Sequence, residues 1–230
     1  MILTRPISFL SMFTSSDARR YAPATDRNRE PILAVLQQVL PPSGTVLEIS
    51  SGTGEHAVYF APRLAPRQWL PSDLSPEARH SIAAWREAAA DNLHLPLELD
   101  AAAPIWPVEL PQSADLSPLP DLQRHPITAL VNINMIHISP WSACLGLMAG
   151  AGRILPQDGV LYLYGPYKQG GQHTAPSNAA FDASLQAQNP QWGVRDLETV
   201  VAAAEAEGLT FVETVAMPAN NLSVVFRASP

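Results

Sequence analysis

Short apolar runs alternate along the chain with longer segments whose apolar residues recur at helical spacing. Runs rich in Val, Ile and Leu predict strands, and the longer periodic segments predict amphipathic helices. The predicted strands cover 46–49, 68–72, 94–99, 127–133, 159–164, 209–217 and 222–227. The predicted helices cover 27–40, 54–65, 76–91, 140–155, 177–188 and 195–207. Strands that alternate with helices are typical of a mostly parallel sheet with helices on both faces.

The caps and loops that connect these predicted helices and strands add detail to the fold. Asp26 is the expected N-cap of the first helix. A proline-rich connection at 103–125 should hold only short helical pieces, and the long 165–176 loop, with two glycines inside it, is typical of a lid or binding loop. Residues 218–221 favour a tight turn, so the last two strands should pair as an antiparallel hairpin. The expected fold class is therefore α/β, with a Rossmann-like, seven-stranded, mostly parallel sheet and a C-terminal antiparallel hairpin.

Composition narrows the class of protein. With 230 residues the chain suffices for one good-sized domain, and its net charge of −7 argues against broad binding to nucleic acid or anionic membranes. No apolar run is long enough to span a bilayer. A single cysteine, Cys144, excludes an internal disulfide and favours a reducing, cytoplasmic location.

The N-terminus carries an arginine and a short apolar patch at 7–13, a poor match to a signal peptide. A translation start at Met12 explains this stretch more simply. We expect residues 1–20 to be a disordered extension and 21–230 to form one domain. Its oligomeric state stays open.

The first strand ends in a turn of small residues, Ser50-Ser51-Gly52-Thr53-Gly54, that leads directly into a helix. Such a turn lets a ligand approach the backbone, and it occurs in dinucleotide sites as well as in S-adenosylmethionine sites. Glu48 within the strand and Glu55 at the helix start would repel a pyrophosphate. An ammonium and a sulfonium suit these carboxylates better, so the pattern favours S-adenosylmethionine and leaves NAD as the alternative.

Two further carboxylates follow the next strands. Asp73 can accept the ribose hydroxyls of either cofactor, or it can cap the following helix in competition with Ser75. Asp100 can accept from an adenine amino group, with the Ala101 amide donating to the ring, or it can be an ordinary turn residue. With Glu48, three carboxylates then stand at three successive strand ends on one edge of the sheet.

Polar side chains also follow the fourth and fifth strands. Asn134 and Met135 would lie beside the methionine part of the cofactor. His137 could abstract a proton from the acceptor, or it could be a buried or capping histidine. Tyr164 and Tyr167 bring two phenols near the transferred methyl group, although core packing also explains Tyr164.

Several strings resemble the methyltransferase-like protein 26 family, from about residue 21 to 227. They are Ala22-Pro23-Ala24, Arg27-Asn28-Arg29-Glu30-Pro31-Ile32, Ser51-Gly52-Thr53-Gly54-Glu55-His56, Pro71-Ser72-Asp73, Asn134-Met135-Ile136-His137, Tyr164-Gly165-Pro166-Tyr167, Ser177-Asn178, Asn189-Pro190-Gln191-Trp192-Gly193, Arg195-Asp196 and Met217-Pro218-Ala219-Asn220-Asn221. The resemblance implies the class I methyltransferase fold and S-adenosylmethionine binding, but it supplies no substrate.

The same strings imply residues that cover the site and hold an acceptor. Arg195 could meet an acceptor carboxylate, or it could make a helix contact through Asp196, and Asn220-Asn221 is most simply a hairpin turn. The predicted cofactor-binding residues are Tyr21, Arg27, Glu48, Ser50, Ser51, Gly52, Gly54, His56, Asp73, Leu74, Asp100, Ala101, Asn134 and Met135. The predicted acceptor-binding residues are Asn28, His137, Tyr167, Asn178, Phe181, Trp192 and Arg195. The candidate bases are His137, Tyr164 and Asp182.

The sequence thus favours an S-adenosylmethionine-dependent methyltransferase acting on a small molecule, with O-, N- and S-methylation all open. Methyl transfer is an in-line displacement, so such an enzyme mainly aligns nucleophile, methyl and sulfur. A NAD-binding oxidoreductase and a non-catalytic binding protein with the same fold are the alternatives.

Overall fold

A computed structural model describes residues 17–86, 89–111 and 119–229. The predicted extension before residue 17, the possible start at Met12 and part of the proline-rich connection, 112–118, lie outside the described residues. The helices are α1 Pro23–Val39, α2 Glu55–Arg63, α3 Pro76–Arg86, α4 Trp141–Ile154, α5 Pro176–Gln188 and α6 Leu197–Glu205. The strands are β1 Thr45–Ile49, β2 Gln68–Asp73, β3 Leu97–Glu98, β4 Ile127–Ile133, β5 Val160–Gly165, β6 Tyr167–Gln169, β7 Gln172–His173, β8 Arg195–Asp196, β9 Leu209–Met217 and β10 Asn221–Ala228.

The main sheet has seven strands in the order β3-β2-β1-β4-β5-β10-β9. β1 to β5 are parallel, and β10 runs antiparallel to both β5 and β9. This confirms the predicted fold class. Because β1 lies between β2 and β4, the carboxyl ends of these three strands meet at one edge of the sheet.

Alternating side chains of the central strands supply two cores, one on each face of the sheet. Leu47 and Ile49 join the core that includes α4 and α6, whereas Val46 joins the core that includes α1 and α2. All five residues of β1 are buried, as expected for a central parallel strand covered on both faces. Among the described residues, no helix is long and apolar enough to cross a membrane.

The first helix begins earlier than predicted. α1 starts at Pro23 after Ala22, which supplies no side-chain cap, so the prediction that Asp26 caps the helix was wrong. Asp26 instead lies in the first turn and pairs with Arg29 at 2.9 Å. Proline is favoured at the first helical position because it has no amide hydrogen to satisfy there.

Three predicted segments differ in extent or type. The third predicted strand is only Leu97–Glu98, and the helix predicted to reach residue 91 ends at Arg86. The 165–176 loop contains the short strands β6 and β7, which form a second sheet with β8 in the order β7-β6-β8. The helix predicted from 195 begins at Leu197, because the two residues before it form β8.

Candidate functional site

The turn after β1 is built from residues in the left-handed region. Ser50 has φ of 57°, Gly52 of 60° and Gly54 of 87°. A Cβ added at Gly52 would meet no heavy atom within 4 Å, so this backbone faces open space at the edge of the sheet. At Gly54 the same Cβ would lie 3.0 Å from the Ile82 Cα, so this glycine is needed for α2 to pack against α3.

Asp73 at the end of β2 braces this turn. Its carboxylate accepts from the Gly52 amide at 2.9 Å and from the Ser75 amide at 2.9 Å. Ser75 caps α3 by accepting from the Ala78 amide at 3.2 Å, so the capping role falls to Ser75. Asp73 therefore holds its carboxylate beside the glycine turn with lone pairs left for a ligand.

The neighbouring edge residues differ in exposure. Leu74 is exposed, and the Asp100 carboxylate is exposed while it accepts from the Ala102 amide at 2.9 Å. Ala101 is buried against α4, where a Cβ at Gly146 would collide with its carbonyl. Asp73, Leu74 and Asp100 thus present polar and apolar surface at one edge of the sheet.

Glu48 lies in the core and does not reach this edge. It is 1% exposed, and the Trp69 indole Nε1 donates to its Oε2 at 3.0 Å. Burial raises the pKa of Glu48 to about 7, against the opposing hydrogen bonds from Trp69 and Ser51. The sequence predicts that Glu48 contacts a cofactor ammonium, but its carboxylate is not exposed in this structure and could not make that contact directly. Ser51 is also buried and hydrogen-bonds within the turn, where its Oγ accepts from the Ser72 amide at 3.2 Å.

A cavity of about 550 Å³ opens between α1, the ends of β4 and β5, α5 and the β9–β10 turn. We call it the α1–α5 pocket. Its lining residues are Ala24, Arg27, Asn28, Asn134, Tyr164, Pro166, Ser177, Asn178, Phe181, Pro218, Ala219, Asn220 and Asn221. Six predicted site residues line it: Arg27, Asn28, Asn134, Tyr164, Asn178 and Phe181.

A hydrogen-bonded chain crosses the wall of this pocket. His56 on α2 contacts the Asn28 Oδ1 at 2.8 Å. Burial and the nearby charge of Arg29 lower the pKa of His56 to about 4, so the neutral ring donates from Nε2. Asn28 is also a hydrogen-bond partner of the Tyr164 hydroxyl, which accepts from the Asn221 Nδ2 at 3.0 Å. Four elements, α2, α1, β5 and β10, thereby fix the position of one phenol.

His137 is fully buried behind β5 and does not line the pocket. A Cβ at Gly165 would collide with its Nε2, and its Nδ1 accepts from the Arg195 amide at 3.4 Å. Burial and then the Arg195 charge lower the pKa of His137 to about 3. Met135 is likewise buried, 6% exposed, in the short helical turn that His137 completes.

Asp182 joins α5 to the small sheet. Its carboxylate lies 2.9 Å from the Lys168 Nζ and 3.1 Å from the His173 Nε2, and it accepts from the Val194 amide at 2.8 Å. Burial alone would raise the pKa of Asp182, but the hydrogen bonds from Lys168 and Val194 and the neighbouring positive charges outweigh burial and lower it. All these contacts are structural, and Asp182 does not line the pocket.

Three predicted acceptor-binding residues also lie elsewhere. Tyr167 is fully buried in the core beside His137. Arg195 donates to the carbonyls of Ile136, Ser139 and Gln191 at 2.7–2.9 Å, so its guanidinium joins the small sheet to the segment after β4. Trp192 precedes β8 and is absent from the pocket lining.

Residues 19–22 lie over the start of α2 and along α3, and we call them the strap. The Arg20 amide donates to the Ser81 Oγ at 2.8 Å, Tyr21 packs edge-on against Trp85, and the Ala22 amide donates to Glu55. Tyr21 is 63% exposed and borders a separate small cleft rather than the α1–α5 pocket.

Asn221 lines the pocket, a position that the sequence underrated because Asn220-Asn221 was interpreted as a turn. Its signal was the family string 217–221, which is longer than a hairpin turn requires. Asn178 donates to the Asn220 carbonyl at 2.9 Å and Asn220 donates to the Ser177 hydroxyl at 3.1 Å, so α5 and this turn form one wall.

The fold matches that of class I methyltransferases. Residues 19–228 match the family described as "Protein of unknown function (DUF938)", and the chain belongs to that family. It resembles human N-acetylserotonin methyltransferase, solved with S-adenosylmethionine, with a TM-score of 0.69 at 11% identity over 90% of this chain and 53% of that one.

Two further solved structures are similar. The S-adenosylmethionine-dependent methyltransferase SibL gives a TM-score of 0.68 at 15% identity, over 90% of this chain and 56% of that one. The mitomycin 7-O-methyltransferase MmcR gives 0.67 at 14% identity, over 90% and 54%. The chain thus spans about half the length of the solved methyltransferases that it matches, and at these identities the likeness shows the fold.

Proposed function

We propose that this protein is an S-adenosylmethionine-dependent methyltransferase whose acceptor is a small molecule bound in the α1–α5 pocket. One observation carries the proposal: the glycine turn follows β1, Asn134 in the pocket lining follows β4, and these two strands are parallel neighbours whose carboxyl ends lie at the same edge of the sheet. Asn134 follows β4 with φ of 66°, and its amide donates to the Tyr164 carbonyl at 2.8 Å. A donor on the turn and an acceptor in the pocket would therefore approach each other across Asn134.

The residues at the edge fit the methyl donor. Gly52 leaves room for a ligand against the backbone, Asp73 can accept from ribose hydroxyls, and Leu74 offers apolar surface to an adenine. When bound, S-adenosylmethionine supplies a methyl group on a positively charged sulfur. The likeness to solved structures that are named as methyltransferases supports this donor.

The start of α2 disfavours the NAD alternative. Glu55 lies in the first turn of α2, and its Oε2 accepts from Thr53 at 3.0 Å and from Ala22 in the strap. A pyrophosphate on this helix terminus would face that carboxylate and would need the strap to move.

The three candidate bases support catalysis by alignment rather than by proton abstraction. The buried His137 has a pKa lowered to about 3, burial raises the pKa of Tyr164, and Asp182 is held in ion pairs. None of them combines exposure to the pocket with a proton affinity suited to a base at neutral pH. The walls of the pocket would instead orient the nucleophile toward the methyl group.

Membership of the methyltransferase-like protein 26 family and a cytoplasmic location belong to the same proposal. The family strings support membership of that family, and most of them fall at the edge of the sheet or in the pocket wall. The single buried thiol, Cys144, supports the second.

The test is calorimetric titration with S-adenosylmethionine, S-adenosylhomocysteine and NAD. We expect the first two to bind, and Asp73→Asn to weaken them by about tenfold or more because charge-assisted hydrogen bonds to the ribose are lost. Asp91→Asn is the matched control, an exposed carboxylate near the opposite end of β2. Binding of NAD alone, or equal affinity in Asp73→Asn and wild type, would overturn the assignment.

A further inference from the structure

The charge of the α1–α5 pocket is opposite to that of the chain. The protein has 21 acidic and 14 basic residues, yet the described residues that line the pocket include no Asp or Glu and one cation, Arg27. Arg27 is exposed on α1, and none of the other described residues forms an ion pair or hydrogen bond with its guanidinium. A protonated amine would find no counter-charge in this lining, whereas an anion would.

The hydroxyl of Tyr164 can donate to a ligand. Its oxygen accepts from the Asn221 Nδ2 at 3.0 Å, and a hydrogen bond with Asn28 acts to lower the pKa of the phenol, as a donor to its oxygen does. Burial raises the pKa of this phenol, so it keeps its proton at neutral pH. That proton has no acceptor among the described residues, and Tyr164 lines the pocket.

Two carboxamides of the wall are already committed. Asn178 gives its two amide hydrogens to Thr174 and to the Asn220 carbonyl, and Asn221 gives its two to Tyr164 and the Pro218 carbonyl. These two side chains shape the wall more than they bind, and among the described lining residues Arg27 is the charged donor and Tyr164 the phenolic one.

Apolar residues also line the pocket. Phe181 is 40% exposed on α5, and Pro166 and Pro218 face the same cavity. A ligand that packs an apolar ring or chain against Phe181 would have its polar end directed toward the Tyr164 hydroxyl and the Arg27 guanidinium. The planar guanidinium fork also suits the two oxygens of a carboxylate.

We propose that the acceptor is a small carboxylate with an apolar body, whose carboxylate is held between the Tyr164 hydroxyl and the Arg27 guanidinium while its body lies on Phe181. This inference rests on the proposed function, because it assumes that the pocket holds the methyl acceptor. It assigns to Arg27 the carboxylate-binding role that the sequence offered to Arg195.

The experiment measures binding of three probes that share one ring system to the protein saturated with S-adenosylhomocysteine. The probes are indole-3-acetate, indole-3-acetamide and tryptamine, which are anionic, neutral and cationic. We expect affinity to fall in that order. Arg27→Met should lower the affinity for the acetate by about tenfold and leave that for the acetamide almost unchanged. Tyr164→Phe should weaken both, because both lose a hydrogen-bond donor.

The matched control is Arg124→Met, which removes an exposed arginine near the opposite edge of the sheet. Three results would overturn the inference: tryptamine binding as tightly as the acetate, no probe binding at millimolar concentration, or Arg27→Met weakening S-adenosylhomocysteine instead of the acetate. The last of these results would show that the Arg27 guanidinium binds the carboxylate of the methyl donor. Loss of S-adenosylhomocysteine binding by the wild-type protein would be a separate failure, that of the proposed function.

Discussion

Glu48 is a buried carboxyl group in β1 that accepts from the Trp69 indole, and the hydrogen bonds from Trp69 and Ser51 only partly offset its burial. Its pKa is raised from 4.5 to about 7 by burial. Between these values the folded protein keeps a proton that the unfolded chain has released, so stability falls as the pH rises through this window. The shift corresponds to about 3 kcal/mol that is present below pH 4.5 and lost above pH 7.

Glu48→Gln should remove this pH dependence. The glutamine carries no charge to bury, so the variant should gain up to about 3 kcal/mol relative to wild type between pH 4.5 and pH 8. Urea unfolding across this range measures the difference. Glu205→Gln, at the exposed end of α6, is the control and should show a flat difference. A constant gap between Glu48→Gln and wild type would contradict the titration of Glu48 in this window.

Ser50 adopts a left-handed backbone, with φ of 57°, where related turns often carry glycine. This conformation costs a residue with a Cβ about 1 kcal/mol. Ser50→Gly should therefore raise the free energy of unfolding slightly or leave it unchanged, although glycine also gains freedom in the unfolded chain. Ser43→Gly, in a loop without positive φ at that position, should lower it. Equal losses in both variants would show that the Ser50 hydroxyl outweighs its backbone strain.

At the scale of elements, the sequence predicted the parts that local pattern determines. β4 reads as a continuous apolar run and was placed correctly, because a strand buried on both faces has that composition. The small sheet was missed, since β6, β7 and β8 are two or three residues long and pair across a separation that no local period reveals.

The predictions for the candidate site also succeeded where local pattern determines position and failed where it does not. Asp73 was found because a strand end has a recognisable position, and it does lie beside the glycine turn. The burial of His137 and Tyr167 depends on how the small sheet packs, which the spacing of residues does not encode. The contact of Asn28 with Tyr164 also joins distant parts of the chain.

Asp182 should be the main connection between α5 and the small sheet. Asp182→Asn removes its charge beside Lys168 and His173, and we expect a loss of about 2 kcal/mol in the free energy of unfolding at pH 7. Because the pKa of Asp182 is lowered from 3.8, its stabilisation is present above that pH and lost as the pH falls through the lower folded value. Urea unfolding at pH 7 and pH 3 measures this, with Asp91→Asn as control. Equal losses at both pH values would rule out the ionic contribution.

At the scale of the whole molecule, α1 and the β9–β10 turn, which are far apart in the sequence, line one pocket. α1 supplies Arg27 and Asn28 to the pocket, and the β9–β10 turn supplies Asn220 and Asn221. The strap before α1 is anchored on α3 and on Glu55 next to the glycine turn. α1 therefore connects the proposed cofactor edge to the pocket, and its position depends on how firmly the strap is held.

Trp85 holds the strap most directly, since its indole Nε1 donates to the Arg20 carbonyl at 3.2 Å and its ring contacts Tyr21 and Arg19 at centroid distances of 5.1 Å. Trp85→Ala removes all three contacts, which should favour local opening by about 1–2 kcal/mol. Trypsin should then cut after Arg20 about tenfold faster, because cleavage of an opened segment follows its population. Mass spectrometry of timed digests measures the rate, with Trp192→Ala as an aromatic truncation outside the strap.

S-adenosylhomocysteine should slow this cut in the wild-type protein if the strap closes over the glycine turn. Equal rates with and without it would show that the strap only anchors α1.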